Sequence, residues 1–334
     1  MSQKKIRVIH YGLGPIGIET AKLALTKSSL EIVGAVDIAQ DMAGRDLGQV
    51  LGLDRDLGIT VTDNAKALFA GTRADVVIHT AGSRLKNIMS QFEEILAGRM
   101  NVVTSAEELL FPVPDNQALC EQLNQLAIKQ GATILGTGVN PGFVMDALPA
   151  YLTSVCQDVK KVQVERVVDA ATRRYPLQKK IGAAMSPEVF RAKIEEKAMG
   201  HVGLRESMYL LAAACGFSLD EVRETAEPVF SSKPAKTAYF ELKAGDIAGI
   251  RNVALGIKGG ETLITLDLQM YIGADDPHDA IYIEGSPSVR LRIEGGIAGD
   301  QATAAILVNN IPSVVTARPG LLTVRDVPLA SVIR

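Results

Sequence analysis

A chain of 334 residues, 47% hydrophobic and 22% charged, exceeds the usual size of a single core, so two domains are expected, each with ample apolar surface to bury. A formal charge of -3 gives no electrostatic footprint for nucleic acid, and no uninterrupted apolar stretch reaches membrane length. Partners are therefore sought among small molecules.

Met1 leads straight into the strand-like Ile6 to Ile9, with no apolar region of a signal peptide between them. Cys120, Cys156 and Cys215 form no CxxC pair, and each sits in an apolar stretch where a small buried thiol is the plain reading. Both features point to a reducing, cytoplasmic setting.

Short β-branched runs then alternate with helical patterns. Strands are expected over 6–11, 32–37, 59–62, 76–80, 102–104 and 133–136, with helical stretches such as 18–27 and 85–97 between them. That alternation predicts an α/β fold, a doubly wound parallel Rossmann sheet, over residues 1–145. After Pro141 it stops. A helix over 143–153, a strand over 162–168, helices around 188–199 and 204–213, and mostly antiparallel strands from Ala238 predict a second, α+β domain over 146–300. Glycine-rich turns fall at Lys258-Gly259-Gly260-Glu261 and Glu294-Gly295-Gly296. The last helix, over 301–314, is expected to return the 301–334 segment to the first domain.

Gly12-Leu13-Gly14-Pro15-Ile16-Gly17 matches GxGxxG between a strand and a helix. Glycines there permit a tight turn and close backbone approach, so a pyrophosphate can rest on the N–H groups of the helix start. Asp37, twenty residues past Gly17, would accept hydrogen bonds from ribose hydroxyls and repel a 2′-phosphate. NAD is the expected cofactor; Arg45, close in sequence, leaves NADP open.

Ligands of such sheets bind beyond the carboxyl ends of the strands. Those ends read His79-Thr80-Ala81-Gly82-Ser83, then Thr104-Ser105-Ala106-Glu107-Glu108, then Gly136 to Gly142. Thr80, Ala81, Thr104, Ser105 and Asn140 are expected to wall a nicotinamide, with Thr80, Thr104 and Asn140 offered to its carboxamide or ribose. His79 joins them as a satisfied, partly buried imidazole rather than a catalytic one. Glu107 and Glu108 are the catalytic candidates, because a carboxylate stabilises a neighbouring cation and takes a proton. Ser105-x-x-Glu108 also reads as a capping box, a role that suits Glu108 better than Glu107. The four histidines are scattered and no ligand spacing for zinc is present, so no metal is expected.

Tyr11 to Gly17, Asn101 to Leu109 and Gly136 to Gly142 resemble the NAD(P)-dependent amine dehydrogenases related to 2,4-diaminopentanoate dehydrogenase. Val167 to Gly182, Gly200 to Ser207 and Asn309 to Ser313 extend the resemblance over nearly the whole chain. It implies a first domain like dihydrodipicolinate reductase, a substrate and dimerisation domain that closes over it, a homodimer, and a catalytic glutamate in the Glu107-Glu108 pair. The His-His plus Lys signature of true dihydrodipicolinate reductases is missing. A glutamate also stands where the similar segment of homoserine dehydrogenases carries lysine.

The expected reaction is reversible reductive amination: ammonia and a small ketone or aldehyde give an iminium, which accepts hydride beside a glutamate. Phe143, Val144 and Met145, with Tyr175 and His201, are the expected substrate walls, although Phe143 and Met145 also lie at helical spacing from Leu148 as core residues would. Arg173-Arg174 and Lys179-Lys180 read as solvated charge. Two other functions stay open: reduction of a ring imine or semialdehyde, and a dinucleotide sensor without turnover.

Overall fold

The computed structural model describes residues 4–196 and 199–334, which fall into two units, 1–143 with 298–334 and 144–297. In chain order the first unit opens with β1 (Ile6–Tyr11), α1 (Pro15–Leu25), β2 (Leu30–Val36), α2 (Leu47–Val50), β3 (Val61–Thr62), α3 (Ala65–Gly71), β4 (Val76–His79), α4 (Leu85–Ala97), β5 (Asn101–Thr104), α5 (Gln117–Gln130) and β6 (Thr133–Gly136). The second unit holds α6 (Ala147–Leu152), β7 (Asp158–Asp169), α7 (Tyr175–Lys180), α8 (Pro187–Glu195), α9 (Leu204–Cys215), β8 (Glu221–Phe230), β9 (Ala235–Lys236), β10 (Glu241–Leu242), β11 (Ile247–Lys258), β12 (Glu261–Tyr271), β13 (His278–Ser286) and β14 (Val289–Glu294). The chain then re-enters the first unit as α10 (Gly299–Thr316) and β15 (Gly320–Leu322).

Among the described residues the first unit forms a seven-stranded parallel sheet ordered β15-β6-β5-β4-β1-β2-β3. Because successive side chains of a strand face opposite ways, each central strand feeds two cores. Ile9, Tyr11, Val77, Val102 and Ile134 pack with Leu85, Ile88 and Phe92 of α4 and with Leu123 and Ala127 of α5. Val8, Val76, Ile78, Val103 and Leu135 pack with Ala21 and Ala24 of α1 and with Leu307, Val308, Ile311 and Val314 of α10. The near-continuous apolar runs of these strands follow from burial on both faces. β15 supplies a seventh strand that the sequence reading lacked.

The second unit carries a mixed sheet ordered β14-β13-β7-β12-β11-β8. One strand was not anticipated: β8, because Glu221, Arg223, Glu224, Thr225 and Glu227 break any apolar alternation; an edge strand tolerates such charge. The sheet is mostly antiparallel, as expected, with β12 and β7 its one parallel pair among the described residues. The hairpin turn Lys258 to Glu261 joins β11 and β12 as expected. α7 and α8 seal one apolar cluster through Ile181 and Phe190 against Ile247, Ile250 and Ile272. Where α9 crosses β11, a Cβ on Gly256 would come within 2.7 Å of Met208 Sδ, so any larger residue would have to displace that side chain.

A buried ion pair ends this unit. Arg166 donates from one nitrogen to both Asp279 oxygens at 2.7 and 2.8 Å and from the other to Ile297 O at 2.7 Å, while Ile297 N returns a bond to Asp279. Such charges persist in an interior only when paired and hydrogen-bonded on all sides. The helix expected over 143–153 begins later, at Ala147, where Asp146 accepts from Ala147 N. Of the helix expected around 188–199, Pro187–Glu195 is helical and residues 197–198 lie outside the described residues. Cys120 is buried as expected; Cys156 and Cys215 are only partly buried.

Candidate active site

β1 delivers the chain to Gly12, whose φ of +94° suits glycine and whose added Cβ would lie 2.8 Å from Ala81 N. An added Cβ on Gly17 would lie 2.0 Å from Gly12 O. The fold's own packing therefore demands both glycines. Gly14 differs: its φ is ordinary, and an added Cβ would meet no protein atom within 4 Å. Its bare backbone caps α1 without a side-chain bond, and Pro15 opens the first turn. Although Pro15 has no N–H, the N–H groups of Ile16 and Gly17 in the first turn of the helix and an open approach over Gly14 make a cradle for an anion, so these residues fit a dinucleotide pyrophosphate.

Three polar contacts brace the cradle. Leu13 N donates to Asp37 Oδ2 at 2.5 Å while Ala39 N holds Oδ1 at 2.9 Å, so the acid expected at the ribose is fixed by backbone on both sides. Thr80 donates its hydroxyl to Gly12 O at 2.7 Å. His10, fully buried, bonds Gly17 O through Nε2 at 2.6 Å. Burial pushes His10 down to about 4, so the imidazole is neutral and its proton sits on the nitrogen facing the carbonyl. Ile16 is partly buried, and Ala81 is exposed at the end of β4.

At the reacting end, parallel register pairs His79 of β4 with Thr104 of β5. His79 Nε2 bonds Gln91 Oε1 at 2.8 Å and its Nδ1 meets Thr104 Oγ1 at 2.9 Å. The acceptor on Gln91 places the proton on Nε2, so Nδ1 accepts from Thr104; the threonine oxygen in turn accepts from Ala106 N at 3.0 Å. Burial holds His79 at about 4. His79 and Thr104, both offered to the cofactor, are fully buried with their side-chain polar atoms bonded within the protein, and the pair leads into the next turn.

That turn is a 3₁₀ element, Glu107–Leu109. Gly136 makes room for it, since a Cβ there would lie 2.4 Å from Leu109 O. The two glutamates separate. Glu108 Oε2 accepts from Leu85 N at 2.7 Å and Oε1 lies 3.6 Å from Arg84, so this carboxylate caps the start of α4, whose own cap residue offers no side-chain bond. The capping box is thereby corrected: the cap of the Glu107 turn is Ala106, Ser105 makes no cap bond, and Glu108 caps a helix 23 residues earlier. Glu107, half-buried, leads the turn.

After β6 the loop folds onto itself, with Gly142 at φ +126° and no space for a Cβ within 2.3 Å of Gly138 N. Asn140 is half-buried, and its Oδ1 is buried without a hydrogen-bond partner among the described residues. Phe143 is half-buried. Val144 and Met145, named with it as substrate walls, are fully buried. In the second unit Tyr175 stacks on Phe240 at 5.8 Å, meets Tyr239 edge-on and carries Lys179 Nζ 5.8 Å from its ring. His201 is partly buried ahead of α9. Arg173 and Arg174, expected to be solvated, are partly buried, whereas Lys179 and Lys180 are exposed. A buried bond of 2.6 Å from Ser207 to Asp146 was not anticipated. Neither were His10 and Gln91, although a histidine inside the apolar run of β1 is a visible signal.

Among the described residues no group of three or more His, Cys, Asp or Glu gathers as a metal site, and no helix is long and apolar enough to cross a membrane.

Residues 143–334 match the family model of the 2,4-diaminopentanoate dehydrogenase C-terminal domain, and residues 6–105 match that of the dihydrodipicolinate reductase N-terminus. The chain is 30% identical to the 2,4-diaminopentanoate dehydrogenase of Acetoanaerobium sticklandii over 98% of this chain and 94% of the relative. It is 25% identical to an amine dehydrogenase of Streptomyces virginiae over 97% of this chain and 96% of that one. The solved structure of an amine dehydrogenase from Mycobacterium smegmatis shares the fold with a TM-score of 0.87 at 24% identity, covering 99% of this chain and 98% of the other.

Proposed function

The chain belongs to the 2,4-diaminopentanoate dehydrogenase family, and from that premise we propose that it is an NAD(P)H-dependent amine dehydrogenase. It aminates a small ketone or aldehyde with ammonia and deaminates the amine in reverse. One observation carries the reading: Glu107, half-buried, opens the turn just beyond the carboxyl end of β5, the end of a parallel sheet where ligands bind, and we assign it to the reacting nitrogen.

Gly12, Leu13, Gly14, Pro15, Ile16 and Gly17 hold the pyrophosphate, Asp37 the adenosine ribose, and Thr80, Ala81 and Ser105 border the nicotinamide. When bound, the dinucleotide supplies or takes the hydride. Glu107 neutralises the cation on the substrate nitrogen and exchanges its proton, a role that a lysine could not fill. Phe143 in the first unit is proposed as a substrate contact, and so, in the second unit, are Tyr175 and His201. A homodimer through the open face of the second sheet, where Gln163, Thr265, Tyr282 and Arg290 line a groove, completes the reading. Light scattering at twice the chain's mass checks it. A cytoplasmic setting is proposed with it.

NADH consumption with a panel of small ketones and aldehydes, with and without ammonium, tests the function. Ammonium-dependent oxidation is expected. Oxidation indifferent to ammonium would favour a semialdehyde or imine reductase, and NADH binding with no turnover on any carbonyl would favour a sensor.

A further inference from the structure

We infer that Asn140 reads the carboxamide of the nicotinamide through its side-chain oxygen, and so discriminates against rings that lack an amide N–H. The inference rests on the dinucleotide reading proposed above and adds a specificity-determining residue to it. Sheet order supplies the direction. With the pyrophosphate cradle at the end of β1 and Asp37 at the end of β2, a dinucleotide runs its other end past β4 and β5 toward β6, where Asn140 lies.

Three polar side chains along that path have prior engagements. The Thr80 hydroxyl is spent on Gly12 O, the Thr104 hydroxyl on His79 and Ala106 N, and the Glu108 carboxylate on Leu85 N. Asn140 Oδ1 is buried and has no donor among the described residues, and Thr137 Oγ1 in the same loop shares that condition. An amide oxygen can only accept, and a fold that buries one without a donor is destabilised until a ligand provides one. The loop is held in place meanwhile: Val139 N bonds Thr303 Oγ1 at 3.4 Å, and a Cβ on Gly138 would meet Pro141 O at 3.1 Å. A nicotinamide carboxamide offers the missing N–H, and its carbonyl can take a bond back from the Asn140 amide nitrogen. Two amides in that arrangement satisfy each other.

The test uses the full chain and reads binding by quenching or transfer of reduced-cofactor fluorescence. NADH is compared with reduced 3-acetylpyridine adenine dinucleotide, which keeps the ring carbonyl and loses the N–H. The wild type is expected to bind NADH about five- to tenfold more tightly than the analogue, the worth of one hydrogen bond. Asn140→Leu should bind the two alike, below the analogue's wild-type level because the bond to the ring carbonyl is lost as well, and Asn140→Asp, which still accepts, should restore the preference. Thermal melts of each variant confirm folding. Equal affinities in the wild type, or a preference that survives Asn140→Leu, would overturn the assignment while leaving the cofactor reading intact. Absence of NADH binding by the folded wild type would instead overturn the cofactor reading.

Discussion

At the end of β1, His10 gives its Nε2 proton to the carbonyl of Gly17; at the end of the neighbouring β4, His79 gives its Nε2 proton to Gln91 and takes one from Thr104. Both imidazoles are fully buried and neutral, and each is fastened to a different half of the site. The His10 bond ends on a rigid carbonyl and shapes a cradle. The His79 bond continues through a hydroxyl to Ala106 N and sets the turn that starts at Glu107. The same side chain thus serves a static binding surface in one place and the placement of an acid–base in the other.

The largest effect expected from this pairing is on stability against pH. Each histidine titrates near 4 in the fold and near 6.5 when unfolded, so below 6.5 the unfolded chain takes up protons that the fold refuses. Their contribution is therefore complete above pH 6.5 and is lost as pH falls toward 4. Two such groups remove about 5 kcal/mol by pH 4.5, and urea melts between pH 7.5 and 4.5 should show it. About half that loss would mean that one imidazole is not held neutral in the fold, and a flat profile that neither is.

Substitution sharpens the contrast. His79→Leu leaves the Thr104 hydroxyl proton and the Gln91 oxygen without their acceptor and donor and should cost about 2–4 kcal/mol, lowering kcat while NADH affinity changes little. His10→Leu removes a bond to a carbonyl that keeps its place in the α1 ladder, should cost about 0.5–1.5 kcal/mol, and should weaken NADH binding more than kcat. Each variant should also remove its own share of the acid sensitivity. If both variants move the same kinetic parameter, the division of labour is wrong.

Local chemistry made part of this legible. β1 and β6 match their expected limits, and GxGxxG identified the cradle, because both signals lie within a few consecutive residues. The relay from Gln91 through His79 and Thr104 was hidden, since sheet register joins residues 25 apart in sequence. Glu108 misled for the same reason: its partner Leu85 lies 23 residues upstream, and only the fold turns a local capping motif into a cap for another helix. β8 was hidden by its edge position, where solvent on one side removes the apolar alternation that betrays central strands.

The most direct test compares Glu107→Gln with Glu108→Gln, measuring kcat for ammonium-dependent NADH oxidation alongside the NADH dissociation constant. Glu107→Gln is expected to lose roughly 10²- to 10⁴-fold in kcat with NADH binding unchanged, whereas Glu108→Gln, whose amide oxygen can still cap α4, should stay within about tenfold of wild type. A folded, NADH-binding Glu107→Gln protein that turns over at the wild-type rate would contradict the account.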